Sequence, residues 1–198
     1  HRLIRRQRQM CIRDRARCDS ESHTYCYYFN DEILKEWKWS ERYPAQEEIQ
    51  NYLNYCADKL RLKKDIHFND RICSCSWDED KEIWSLTSKS GKVYSSKFLI
   101  TAVGCLSSTN KPEIPQLSTF KGEIYFTGEW PREKIEFQNK SVAVIGTGSS
   151  GIQAIPVIAE EAEELFVLQR TPNFSVPARN HKLEEKFHSE FIAKIEMW

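Results

Sequence analysis

Two textures of hydrophobic spacing divide the chain. In residues 31–39, Ile33, Leu34 and Trp37 recur at helical spacing, and Asp31 and Glu32 sit where a helix carries partial positive charge. Next, Ile49, Leu53, Cys56, Ala57 and Leu60 form one apolar stripe. Pro44 precedes it where a first helical turn tolerates proline, and Glu47 and Glu48 follow. A helix is predicted over each stretch. From Ile66 the period changes to two: residues 66–72, 73–77 and 82–87 read as short strands. Residues 88–91 (SKSG) read as a turn into a third run over 92–96. This predicts a small antiparallel meander. The continuous apolar run 97–101 (KFLIT) predicts a strand buried on both faces. Residues 116–140 read as a connector punctuated by Phe120, Tyr125, Phe126, Trp130 and Pro131.

After residue 140 the pattern becomes strand, glycine loop, helix, strand. Residues 141–145 (SVAVI) suit a central parallel strand. They run into Gly146-Thr147-Gly148-Ser149-Ser150-Gly151, then into Ile152, Ile155, Val157 and Ile158 at helical spacing, with Pro156 as a source of shortening or kinking. Residues 164–169 supply the second strand. Leu183, Phe187, Phe191 and Ile195 predict a last helix over 182–198. His181 and His188 read as polar-face residues, since no partner carboxylate or nucleophile stands near them.

A lone GxGxxG is weak, but this one has a strand before it and a helix after it. Gly146 permits the tight turn, Gly148 admits a pyrophosphate close to the backbone, and Gly151 lets helix and strand pack closely. The helix N-terminus offers unpaired N–H groups to phosphate. A glycine-rich turn in some other α/β domain is the alternative. The second strand ends in Gln169-Arg170-Thr171-Pro172, where an acid would bind a ribose 2′-hydroxyl. Arg170, 24 residues after Gly146, suits a 2′-phosphate instead. This favours NADPH over NADH or FAD at that loop; a solvated surface arginine is the other reading.

Composition adds exclusions. Six of the 29 basic residues and one of the 29 acidic residues lie in residues 1–15, which leaves the remainder at net −5 and argues against a nucleic-acid surface. Residues 1–15 lack periodicity and read as a disordered or non-native arm. There is no long apolar run and no secretory h-region, so no membrane span is expected and a cytoplasmic location is the default. Seven cysteines (Cys11, Cys18, Cys26, Cys56, Cys73, Cys75 and Cys105), an odd number, argue against a disulfide framework. Cys73 and Cys75 lack the further ligands zinc needs, so buried or half-buried thiols are expected.

Four stretches carry a family resemblance: residues 16–29 (ARCDSESHTYCYYF), 37–53 (WKWSERYPAQEEIQNYL), 98–115 (FLITAVGCLSSTNKPEIP) and 120–180. The last contains Phe120-x-Gly122-x-x-x-Phe126-x-x-x-Trp130-Pro131. The chain resembles the class B flavoprotein monooxygenases, and within them the Baeyer–Villiger monooxygenases. The resemblance implies FAD and NADP as cofactors, a ketone and O2 as substrates, and an ester or lactone as product, formed through a flavin C4a-peroxide. By motif, it implies that Asp19 is the catalytic aspartate that lies near the flavin and supports a catalytic arginine, with Arg17 and Cys18 on the same NADP-facing loop. Tyr25 and Ile72 would contact FAD. Thr147, Gly148, Ser149, Ser150, Gly151, Ile152 and Gln153 would surround the NADP pyrophosphate, with Arg170 and Thr171 at the 2′-phosphate. Read from sequence alone, Asp19 is equally an acid in a loop.

The implied architecture is α/β, with two incomplete Rossmann-like dinucleotide-binding domains, the first carrying the antiparallel meander. Residues 16–108 would be part of an FAD domain, 109–136 a connector, and 137–198 the opening of an NADP domain. Phe126 stands where the family fingerprint has His, and Val103 where its Ala-Thr-Gly motif has Thr. The family's FAD-binding glycine loop is expected before the ARCD stretch, where HRLIRRQRQMCIRDR stands instead. The chain alone is therefore expected to be inactive and colourless. An amine- or sulfur-oxidising relative and a non-catalytic NADP-binding module are the alternative functions.

Overall fold

The computed structural model describes residues 17–104, 108–131 and 133–195. The basic arm 1–15, Cys11, Cys105 and the last three residues of the expected 182–198 helix lie outside them.

Helix α1 (Asp31–Glu36) begins where Asn30 accepts a hydrogen bond from the Ile33 N–H, capping the first turn. It ends at Glu36, three residues short of the expectation, because Trp37 turns extended. Trp39 thereby inserts into the core at 3% exposure. Helix α2 (Gln46–Lys59) starts after Pro44, which is buried just ahead of it. Its inward face is led by Tyr52 (1% exposed) and Cys56 (2%), with Ile49 and Leu60 beside them. Ile33, Trp39, Tyr52 and Cys56 form the first core cluster. Trp37, Trp39 and Tyr27 ring Tyr52 at centroid distances of 5.2, 4.9 and 5.8 Å.

The meander is as expected: β1 (Ile72–Asp78), β2 (Ile83–Ser88) and β3 (Val93–Ser96) pair antiparallel in that order. Residues 66–71 are not part of it. Asn69 adopts φ +60, which turns the chain and ends the period-two run before pairing begins at Ile72. Residues 97–101 form no strand either, and Phe98 and Ile100 are 84% and 89% exposed. A strand needs a hydrogen-bonding neighbour, and among the described residues none lies beside this run.

Strand β4 (Ser141–Ile145), helix α3 (Ser149–Ala159) and strand β5 (Glu164–Leu168) form a βαβ unit. Val142 pairs with Leu165 and Val144 with Val167 in a parallel ladder. Val142, Val144 and Leu165 pack with Phe137, Ala154 and Ile158 into the second core cluster. The opposite face holds Ile145, Phe166 and Leu168 at 65%, 54% and 53% exposure, so β4 is covered on one face rather than two. Pro156 lies within α3 without ending it. Helix α4 (Glu185–Ile195) packs back toward the first cluster: Leu183 joins it, and His188 Nε2 lies 2.9 Å from the Trp39 carbonyl oxygen.

Residues 120–131 hold the fingerprint-like motif. A Cβ on Gly122 would meet the Phe120 ring at 2.6 Å. Lys111 Nζ lies 5.4 Å from the Phe126 ring, and Trp130 packs toward Phe137. Cys73 and Cys75 are exposed rather than buried, because they lie on the outer strand of a thin sheet. No cluster able to hold a metal occurs among the described residues, and no described helix is long and apolar enough to cross a membrane.

Candidate functional site

The glycine loop joins β4 to α3. Gly146 sits at φ +100, a region costly for any side-chain-bearing residue, and its N–H bonds the Leu168 carbonyl at 2.9 Å. This ties the loop to the end of β5. A Cβ on Gly151 would approach the Gly146 carbonyl oxygen to 2.3 Å, so the first turn of α3 lies directly against the loop. A Cβ on Gly148 would meet nothing within 4 Å, which leaves open space over the loop. Helix α3 starts with no side-chain cap, and its leading N–H groups face that space by the geometry of any helix start. Together these features fit a dinucleotide pyrophosphate.

The exit of β5 completes the loop. Gln169 donates from Nε2 to Thr147 Oγ1 at 2.7 Å, and Asn173 donates from Nδ2 to the Thr147 carbonyl at 3.1 Å. The amide of Gln169 is thus committed to the protein. Arg170 and Thr171 are exposed, and the Arg170 guanidinium has no protein partner among the described residues. It is a free cation one residue past the glycine-loop anchor.

The second group of residues is a loop at 17–25. Arg17 bridges Ala45, its Nη1 hydrogen bonds to Glu41 Oε2, and the Cys18 N–H reaches the Pro44 carbonyl at 3.3 Å. Glu41 Oε2 also accepts from Asn180 Nδ2 at 2.6 Å, so the chain beyond β5 is tied to the same place. Asp19 is exposed at the tip. The Cys18 sulfur and the Tyr25 hydroxyl are hydrogen-bonded at 2.5 Å. That bond and partial burial push the Tyr25 phenol up to about 12 from an ordinary 10. Behind the loop, Arg42 donates from Nε and Nη2 to Glu21 Oε1 at 3.0 and 2.5 Å, which holds the Glu21 carboxyl below its usual range. Ile72 opens β1 opposite Ser88 and belongs to the meander.

The two groups meet at Gln153, in the second turn of α3. The Arg17 N–H donates to Gln153 Oε1 at 2.9 Å, and Gln153 Nε2 donates to the Arg17 carbonyl at 3.3 Å. Glu41, Asn173 and Asn180 escaped sequence reading because their partners stand 24 or more residues away, with no local pattern to mark them.

The Tyr25 contact carries a pH signature. A proton held more tightly in the fold than in the unfolded chain stabilises the fold fully below pH 10. That stabilisation is lost as pH rises from 10 to about 12. Tyr25→Phe should therefore lose less stability than the parent across that window in urea titrations; parallel losses in both proteins would remove the contact from the account.

Residues 20–196 match the family described as L-lysine 6-monooxygenase/L-ornithine 5-monooxygenase. An acetone monooxygenase (methyl acetate-forming) of Gordonia sp. (strain TY-5) is 45% identical over 165 residues, 83% of this chain and 31% of its own length. A phenazine N-monooxygenase of Lysobacter antibioticus is 39% identical over 181 residues, 91% of this chain and 33% of its own. Among solved structures, an oxidized steroid monooxygenase bound to NADP superimposes with a TM-score of 0.86 at 43% identity, covering 96% of this chain and 36% of that one. OTEMO in complex with FAD and NADP gives 0.84 at 35% identity, covering 93% and 35%. The fold is thus that of a flavin monooxygenase section, with an antiparallel sheet and a parallel one. The chain belongs to the lysine/ornithine monooxygenase family of flavin-dependent enzymes, and it spans about a third of the length of the relatives it matches.

Proposed function

We propose that this chain is the section of an FAD- and NADPH-dependent monooxygenase that binds the NADPH phosphates and presents an acidic loop to the flavin, in an enzyme that inserts one oxygen atom of O2 into a ketone to give an ester or lactone. The observation that carries the reading is the glycine loop: a left-handed Gly146, open space at Gly148, and a free Arg170 beyond β5. Residues 137–198 open an NADP domain of Rossmann type, residues 16–108 belong to an FAD domain, and 109–136 connect them.

In this reading Gly146–Gln153 hold the pyrophosphate, while Arg170 and Thr171 take the 2′-phosphate. Arg17, Cys18, Asp19, Tyr25 and Ile72 lie toward the flavin. FAD supplies the oxygen chemistry when bound. The part of this chain is to orient the nucleotide by its loop and to hold the exposed Asp19 carboxylate toward the flavin.

Arg170→Gln tests the reading. Hydrogen bonds to a charged group contribute about 1.5–3 kcal/mol, so NADPH should bind roughly 10- to 100-fold more weakly while NADH is little changed. Isothermal titration with both nucleotides reads this directly, and equal effects on the two would discard the 2′-phosphate assignment. The similarity to a phenazine N-monooxygenase favours a second reading, oxidation at nitrogen. For the full-length enzyme with NADPH, FAD and O2 supplied, mass spectrometry of products from a ketone and from a heteroaromatic amine separates ester from N-oxide.

A further inference from the structure

We infer that Gln153 is a positioning residue that clamps the 17–19 loop to the nucleotide-binding helix, so that occupancy of the glycine loop sets the position of Asp19. The inference rests on the proposed nucleotide site.

The geometry is reciprocal. One carboxamide accepts from the Arg17 N–H at 2.9 Å and donates to the carbonyl of the same residue at 3.3 Å. A primary amide is the side chain that offers an acceptor and a donor in the same plane, at the spacing of a backbone N–H and C=O. Both partners are main-chain atoms, so the contact holds the path of the loop and not a mobile side-chain tip. Gln153 stands two residues after Gly151, which lies against the Gly146 carbonyl. A ligand that orders Gly146–Gly151 therefore orders the residue that holds Arg17, and Asp19 follows two residues on.

The loop is bracketed from its other side independently of Gln153. Arg17 Nη1 reaches Glu41 Oε2 and the Tyr43 carbonyl, and the Cys18 N–H reaches Pro44. Removing the Gln153 amide thus frees the loop from α3 while leaving it attached to residues 41–45. The half-buried Gln153 is not part of the second core cluster, so its truncation leaves that core intact.

Amide hydrogen exchange on the 198-residue chain tests this in two arms. Without nucleotide, the Arg17 amide in Gln153→Ala should exchange about 3- to 10-fold faster than in the parent, as loss of one ordinary hydrogen bond predicts. The Ile158 amide inside α3 should keep its rate, which shows that the helix is folded. Gln153→Glu keeps the acceptor and loses the donor, and should restore part of the protection. An unchanged Arg17 rate in Gln153→Ala overturns the clamp. With NADP+ added, the parent should show slowed exchange at residues 148–152 and also at 17–19. At NADP+ concentrations that saturate each protein, so that any loss of affinity from removing a pyrophosphate-side residue is offset, Gln153→Ala should keep the first and lose the second. Slowing at 17–19 that survives in Gln153→Ala overturns the coupling. Absence of slowing at 148–152 in the parent overturns the nucleotide site itself, and is separate from the nucleotide-free arm.

Discussion

Gly151→Ala is expected to weaken NADP+ binding roughly 10- to 100-fold and to lower stability by about 1–3 kcal/mol, the usual cost of forcing an extra methyl into a packed site. The added carbon would stand 2.3 Å from the Gly146 carbonyl oxygen. That oxygen belongs to the backbone, so it cannot swing aside as a side-chain tip would. Either α3 backs away from the loop or Gly146 leaves φ +100, and both open the ring of N–H groups that would hold a pyrophosphate. Gly148→Ala is the internal control: its Cβ would meet nothing within 4 Å, and its φ of −70 suits alanine. The fold should tolerate it, and only the ligand should notice the methyl. Titration calorimetry with NADP+, together with urea unfolding, reads both variants. Equal stability of Gly151→Ala and the parent would show that the close approach relaxes at no cost.

Tyr52→Ala is expected to cost about 3–5 kcal/mol, as removal of a buried aromatic ring does. Tyr52 is 1% exposed, and three aromatic rings stand within 6 Å of its own. Its hydroxyl accepts from the Tyr27 N–H at 2.7 Å, which anchors the segment following the 17–25 loop. Total stabilities of natural domains are about 5–15 kcal/mol, so this one change removes a large share. Tyr52→Phe separates the two roles. It keeps the ring and strands the Tyr27 N–H, at a cost of about 1–3 kcal/mol. Urea midpoints ranked parent, Tyr52→Phe, Tyr52→Ala are the expected order. A Tyr52→Ala protein as stable as the parent would mean that the cluster is not the core of this part of the chain.

The helix over residues 46–59 was legible from its stripe, yet its deepest residue was not. Ile49, Leu53, Cys56, Ala57 and Leu60 mark the apolar side, but Tyr52 carries the burial. A tyrosine reads as amphipathic in sequence; the Tyr27 N–H that satisfies its hydroxyl lies 25 residues away. The same limit explains residues 97–101 and β4. An apolar run states that a segment is fit for burial, while its cover depends on which elements pack against it. Along β4 that is helix α3 on one face; at Phe98 and Ile100 nothing among the described residues supplies it. The opposite error occurred at residues 66–71, where alternation suggested a strand and a left-handed Asn69 turned the chain.

The sequence by itself determined the local units whose signals lie within a few residues: the 72–96 meander, the strand at 141–145, the glycine loop and the helix that follows. Period, turn chemistry and glycine placement act over that range, and Gly146 could adopt φ +100 at little cost because it lacks a side chain. Only the tertiary structure decided what joins these units. It paired Gln153 with the backbone of Arg17 across 136 residues, brought Glu41 to both Arg17 and Asn180, and committed Gln169 to Thr147 while leaving Arg170 free. Such bonds depend on two distant segments arriving with matched donors and acceptors. That match is a property of the packed cores, and no residue shows it alone.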